Sequence, residues 1–144
     1  MSLPNSSIQL EIVSVQESLF SGKASFVVVP GVDGELGIYP KHSPLLTQIK
    51  PGTLKFRAVE SDKDSYFFVA GGFLEVQPDV VTVLADVAIR GEDLDEERAE
   101  GARKQAEEVL LNKKGDKISI ASAQAELSYA LAELSTIRKI NNRG

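Results

Sequence analysis

The chain is 144 residues long, 42% hydrophobic and 26% charged, with no cysteine, one histidine and a formal net charge of −5. That length fits one ordinary domain, or a small domain carrying an appendage. The missing cysteines exclude disulfides, thiolate metal sites and cysteine nucleophiles and suit a cytosol-facing protein, one histidine excludes a histidine cluster, and the acidic balance argues against holding nucleic acid or acidic lipid by bulk charge.

The N-terminal stretch MSLPNSSIQLEIVSV has neither the basic segment nor the apolar core of a secretory leader. No run nears the roughly 18 apolar residues of a membrane span, so the chain is expected to be soluble, without direct membrane insertion. Short runs rich in Val, Ile, Phe and Tyr then recur between turn signals at residues 8–15, 24–29, 53–59, 66–70, 73–77 and 80–85. Runs so spaced predict an antiparallel β-sandwich or flattened barrel. In the first, Ile8, Leu10 and Ile12 alternate with Gln9 and Glu11, as in a strand with one buried face. FLEVQ and VVTVLA, joined by Pro78 and Asp79, read as a hairpin, because proline presets the turn dihedral and aspartate tolerates the corner. Gly71 and Gly72 mark a turn or a bulge.

Between these runs lies GELGIYPKHSPLL, residues 34–46, with the chain's single histidine. Glu35, His42 and Ser43 raise the question of acid/base catalysis. A triad needs a third group to orient the base, and Ser43 precedes Pro44 outside any GxSxG setting. Gly31, Gly34 and Gly37 recur every third residue, yet Asp33 and Glu35 among them would repel phosphate, and no GxxxxGK followed by Ser or Thr occurs. No catalytic residue and no metal set is assigned. The prolines and glycines make the segment rigid, and Leu36, Ile38, Tyr39, Leu45 and Leu46 supply more apolar surface than a solvent loop needs. It either plugs the end of the sandwich or presents a shaped surface to another protein.

All six prolines fall at or before Pro78, eight of nine aromatic residues precede Ala88, and eight of thirteen alanines lie from Ala99 onward. The chain therefore divides near Arg90 into a β-sandwich, residues 1–90, and a helical hairpin, residues 91–144, an α+β architecture. Ala99, Ala102, Ala106, Val109 and Leu110 recur at helical spacing. Asp93 followed by Glu96 resembles a capping box, so this helix is expected to start near Leu94 and to stop between Asn112 and Gly115. A second helix follows, with Asp116 or Ser119 as N-cap and Ala123, Leu127, Ala130, Leu134 and Ile137 as a heptad-like seam. The short connection predicts an antiparallel pair whose stability depends on docking.

GELGIYPKHSPLLTQIKPG and GGFLEVQPDVVTVLADVAIRGEDLDEERA resemble the epsilon subunits of bacterial F-type ATP synthase, and the likeness spans nearly the whole chain. The resemblance implies a non-catalytic central-stalk subunit of a rotary, proton-translocating ATPase, turning with the gamma subunit and touching the c-subunit ring. It implies a peripheral location on the cytoplasmic side of the bacterial inner membrane. Ser14, Glu35, Tyr39 and His42 would then be gamma or c-ring contacts. The hairpin would permit ATP hydrolysis when folded on the sandwich and inhibit it when extended into the alpha/beta catalytic head, where the basic residues Arg138, Lys139 and Arg143 are placed to meet an acidic surface. Some members bind ATP through an Ile or Leu, then Asp, two residues, Arg and Ala, which Leu94, Asp95, Arg98 and Ala99 match. The alternative assigns Asp95 to the helix start and Arg98 to pairing with neighbouring acids. Gln105 stands where another arginine is expected, and the second helix has no basic residue between Lys117 and Arg138. No cofactor is expected to be required; a weak regulatory ATP is the most this motif implies. The rival function is a free-standing ATP-sensing module.

Overall fold

A computed structural model describes residues 7–112 and 117–142. Seven strands come first: β1 (Ile8–Ser14), β2 (Ser18–Gly31), β3 (Gly34–Ile38), β4 (Leu45–Gln48), β5 (Gly52–Ala58), β6 (Ser65–Val76) and β7 (Val80–Arg90). A 3-10 turn (Gly91–Asp93) leads into two helices, α1 (Glu96–Asn112) and α2 (Lys117–Asn142). Neighbouring strands follow the order β1–β7–β6–β5–β2–β3, and β1 also pairs with β2, so the first five of these close into a ring. β3 extends the ring beside β2 and β4 beside β6, and a bridge from Gly31, at the end of β2, to Ile49, just after β4, links the two sides. The result is the flattened barrel expected, with one exception to antiparallel pairing: β1 runs parallel to β7.

Alternation holds where it was read. Ile8, Leu10 and Ile12 are buried, and with Val27, Val29, Leu54, Phe56, Phe67, Leu74 and Val83 they form one continuous core. Gln77 N–H donates to the Val80 carbonyl at 2.8 Å across Pro78 and Asp79, closing the expected hairpin.

Three expectations need correction. The runs at 66–70 and 73–77 are one strand, β6, not two. Gly71 and Gly72 sit inside it with φ of 71° and 101°, conformations that glycine alone adopts without strain. They switch which parity faces inward: Phe67 and Val69 join the core before them, Leu74 and Val76 after them. A side chain at Gly72 would run into the Leu84 carbonyl. Residues 34–46 include β3 and the first half of β4, strands that the proline and glycine content concealed. They answer both alternatives for the segment: Ile38 is fully buried and Leu36 and Leu45 pack on the core, whereas Tyr39 and Leu46 are 59% and 67% exposed.

The helix starts also differ. Asp93 lies in the 3-10 turn, and the N-cap of α1 is Asp95, whose carboxylate accepts the Arg98 N–H at 3.1 Å. Ser119 falls within α2, two residues after its first described residue, and Asp116 lies outside the described residues. Among the described residues, no helix is long and apolar enough to cross a membrane.

Candidate functional site: the docked hairpin and the sandwich end

α2 packs against both α1 and the outer face of β5 and β6. Its two faces have different chemistry. Toward α1, Ala123 and Ala130 are buried with Ala99 and Ala106 opposite, and Leu127, Leu134 and Ile137 are half-buried, so the predicted seam is the helix–helix contact. The small side chains let the backbones approach closely.

The sandwich-facing stripe is Tyr129, Glu133, Thr136 and Ile140, at spacings of four, three and four that return to one helix face. The Tyr129 ring meets Phe68 edge-on at 4.8 Å between centroids. Phe68, on the outer side of β6, is fully buried only because this helix covers it. Thr136 and Thr53 hydroxyl oxygens lie 2.7 Å apart, and the Thr136 O–H donates to the Ala132 carbonyl at 2.9 Å. A hydroxyl has one proton, so Thr53 is the donor to Thr136. Ile140 occupies the space a side chain at Gly91 would need. Hydrophobic periodicity missed this stripe because three of its four members are polar; Tyr129, the only aromatic residue beyond Phe73, was the signal available.

Glu133 is 3% exposed. Burial pushes its carboxyl above the usual carboxylate range; the Arg98 guanidinium offsets part of that rise and the Asp95 carboxylate adds to it. Burial likewise raises the Tyr129 phenol, Glu133 adds to the shift and Arg98 opposes it. These groups border a cavity of about 350 Å³ between the helices, with Arg98, Ala102, Gln105, Glu126, Tyr129 and Glu133 in its wall.

Leu94, Asp95, Arg98 and Ala99 meet at this end of the hairpin, and three have structural uses. Leu94 N–H closes the 3-10 turn onto Gly91, Asp95 caps α1, and Ala99 is buried in the seam. Arg98 is left facing the cavity.

Ser14, Glu35, Tyr39 and His42 are not gathered into one patch. Ser14 organises the β1–β2 turn: its hydroxyl oxygen accepts from the Gln16 and Glu17 N–H groups at 3.3 Å. It pairs with Ala85, five residues along β7 from Val80, which places it about 17 Å from the β6–β7 turn. The loop containing His42 is tied to that turn, with Lys41 N–H donating to the Pro78 carbonyl at 3.1 Å and Lys41 itself left-handed at φ 67°. His42 Nδ1 lies 2.7 Å from the Ser43 carbonyl, to which it donates, and the hydrogen bonds found among the described residues include none from the ring to the Ser43 hydroxyl or Glu35. Tyr39 stacks on Phe26 at 5.8 Å, and Lys55 and Arg57 lie over the Phe26 ring. Glu35 is exposed on β3 beside the end of α2, in a cavity shared with Thr53, Lys55, Tyr66 and Lys139.

The basic residues of α2 point apart. Arg138 lines a cleft of about 440 Å³ with Glu96, Glu100 and Arg103. Arg103 is already paired with Glu100 and, at 2.6 Å, with Glu107. Lys139 faces the sandwich, and Arg143 lies outside the described residues. Elsewhere, Phe73 and Leu84 are neighbours across β6 and β7 and remain 47% and 51% exposed, with Val13 next to Leu84 on β1.

Residues 7–91 match the β-sandwich domain of the ATP synthase delta/epsilon chain, and residues 92–138 match the long α-helix domain of the same chain. The sequence is 52% identical to the ATP synthase epsilon chain of Janthinobacterium sp. strain Marseille, over 94% of this chain and 96% of that protein. It is 54% identical to the epsilon chain of Nitrosomonas eutropha, over 93% and 94%. The fold is shared with a chain of the Euglena gracilis mitochondrial ATP synthase, at a TM-score of 0.80 and 21% identity over 92% of this chain and 81% of that one. A chain from a structure of the central stalk and c-ring of the Tetrahymena thermophila mitochondrial ATP synthase aligns at a TM-score of 0.62 and 15% identity, over 90% and 96%. With both of its domains matched and about half its residues identical to epsilon chains along nearly their full length, the chain belongs to the delta/epsilon chain family of ATP synthase, whose members are non-catalytic subunits.

Proposed function

We propose that this protein is a central-stalk subunit of the rotor, which couples the gamma subunit and the c-ring to the catalytic head and restrains ATP hydrolysis through its hairpin. It would work as a peripheral protein on the cytoplasmic face of the bacterial inner membrane. The observation that carries the regulatory part is the division of labour on α2. The helices hold each other through an apolar seam of Ala, Leu and Ile, while the hairpin meets the sandwich through Tyr129, Glu133, Thr136 and Ile140. One hydrogen bond between neutral groups contributes about 1 kcal/mol and one aromatic edge contact about 0.5–1.5 kcal/mol. Burial of Phe68 adds about 1.5–3 kcal/mol, and a docking energy of a few kcal/mol lets a competing partner shift the population while the helices stay paired.

The apolar row of Phe73, Leu84 and Val13 suits a large, stable partner such as gamma. Glu35, Tyr39 and His42 offer polar contacts for ring loops, and Arg138 and Lys139, both exposed on α2, would travel with the hairpin to meet an acidic head surface. Nucleotide sensing has weaker support. A triphosphate in the cavity beside Arg98 would meet one guanidinium and two carboxyl groups, Glu126 and Glu133, a poor match in charge for a polyanion.

The test is a reversible lock. Thr53→Cys with Thr136→Cys places two thiols where the hydroxyls now touch, in a chain with no other cysteine. In the assembled ATPase, oxidation should relieve inhibition of hydrolysis and reduction should restore it. Equal hydrolysis in both states, with the disulfide verified, sinks the proposal.

A further inference from the structure

We propose that Glu133 is a proton-operated latch on the hairpin: as the neutral acid it leaves α2 docked on the sandwich, and as the carboxylate it favours release. This rests on the reading above that the hairpin leaves the sandwich. Glu133 lies between the contacts that fasten α2, Tyr129 on Phe68 and Thr136 on Thr53, and is 3% exposed. The ion pairs found among the described residues, Arg57 with Asp64 and Arg103 with Glu100 and Glu107, do not include it. From the start of α1 it faces Arg98 and Asp95, and from α2 Tyr129 and Glu126. On the sandwich side its neighbours along the stripe meet Phe68, under Tyr129, and Thr53, under Thr136. The ionisable groups of that face, Glu35, Lys50, Lys55 and Tyr66, gather around Lys139, about 9 Å further along the helix. One cation therefore stands against two other carboxylates near a carboxyl that docking takes out of water.

A carboxylate gives up more hydration on burial than the neutral acid, so docking favours the protonated form. The raised position of the Glu133 carboxyl in the docked chain agrees with this. Released with the helices still paired, Glu133 keeps Arg98 and Asp95 beside it but regains water on the side that the sandwich covered, so its carboxyl gives up its proton at lower pH than when docked. Below that released value it is neutral in both states, and docking has its full strength. As pH rises toward the docked value the released state loses its proton first, and docking weakens by up to about tenfold per pH unit, the limit for one proton. Above the docked value both states are charged and the loss levels off. Acid thus parks the hairpin and alkali frees it toward the head.

The full chain with Glu60→Cys and Ile118→Cys, carrying a donor and an acceptor dye, reports docking by energy transfer. His42→Gln in the same background removes the one histidine. Transfer should fall as pH is raised from about 4 to 9, a range that brackets buried carboxylates. With Glu133→Gln it should stay high throughout. Arg98→Gln removes the offsetting charge and should extend the fall to higher pH. A flat profile in the parent, or the parental fall persisting in Glu133→Gln, overturns the latch. Should Glu133→Gln fail to fold, Arg98→Gln decides, and an unaltered profile there overturns it. The disulfide lock reads release in the assembled enzyme at one pH, so the latch and the release can fail separately.

Discussion

Replacing Thr136 by valine isolates the hydrogen bond that fastens the hairpin. Valine keeps the shape of threonine and replaces only the hydroxyl by a methyl, so the helix seam and the Tyr129–Phe68 contact survive. In the native chain Thr53 donates to Thr136 at 2.7 Å, with the two residues 7% and 0% exposed. In Thr136→Val the Thr53 hydroxyl becomes a buried donor without an acceptor, which costs about 1–3 kcal/mol. Docking should weaken about fivefold to more than a hundredfold. The dye pair at Glu60→Cys and Ile118→Cys reads this directly in the isolated chain. In the assembled enzyme the same substitution should deepen inhibition of hydrolysis. Adding Thr53→Val removes the orphan and should recover much of the loss, since two apolar partners of matching shape are nearly neutral. A single variant that docks like the parent, or a double variant no better than the single, refutes the assignment of docking strength to this pair.

Gly72→Ala should lower the melting temperature of the sandwich, because its left-handed φ and the Leu84 carbonyl both oppose a side chain; a strained site of this kind costs about 1–3 kcal/mol, and a loss below 0.5 kcal/mol, approximately, would show that the strand relaxes. Gly91→Ala should press on Ile140 and lower energy transfer at the hairpin while leaving the exchange rates of core amides in β1 and β7 as they are. Asp95→Ala removes the cap of α1 at a cost of about 1 kcal/mol, so amide exchange in the first turn of α1 should quicken; unchanged protection there would mean that another group satisfies the Arg98 N–H.

Much of this protein is legible from local pattern, because local pattern is set by backbone geometry. The alternation of Ile8, Leu10 and Ile12, the turn at Pro78 and Asp79, and the repeat of Ala123, Leu127, Ala130, Leu134 and Ile137 each follow from which positions a strand or helix can turn to one side. These fixed the sandwich, the hairpin and the seam, and the family followed from the longer blocks. What the tertiary structure decided concerns groups made partners by distant parts of the chain. Gly71 and Gly72 look like a break, yet β7 pairs with β6 before and after them, Ala70 with Val87 and Gly72 with Ala85, and carries the strand through. Tyr129, Glu133 and Thr136 look like a solvent face, because hydropathy ranks a side chain without knowing what will cover it. Only packing against Phe68 and Thr53, more than sixty residues earlier, turns a phenol, a carboxyl and a hydroxyl into a docking surface, since water competes for such groups wherever the fold has not excluded it.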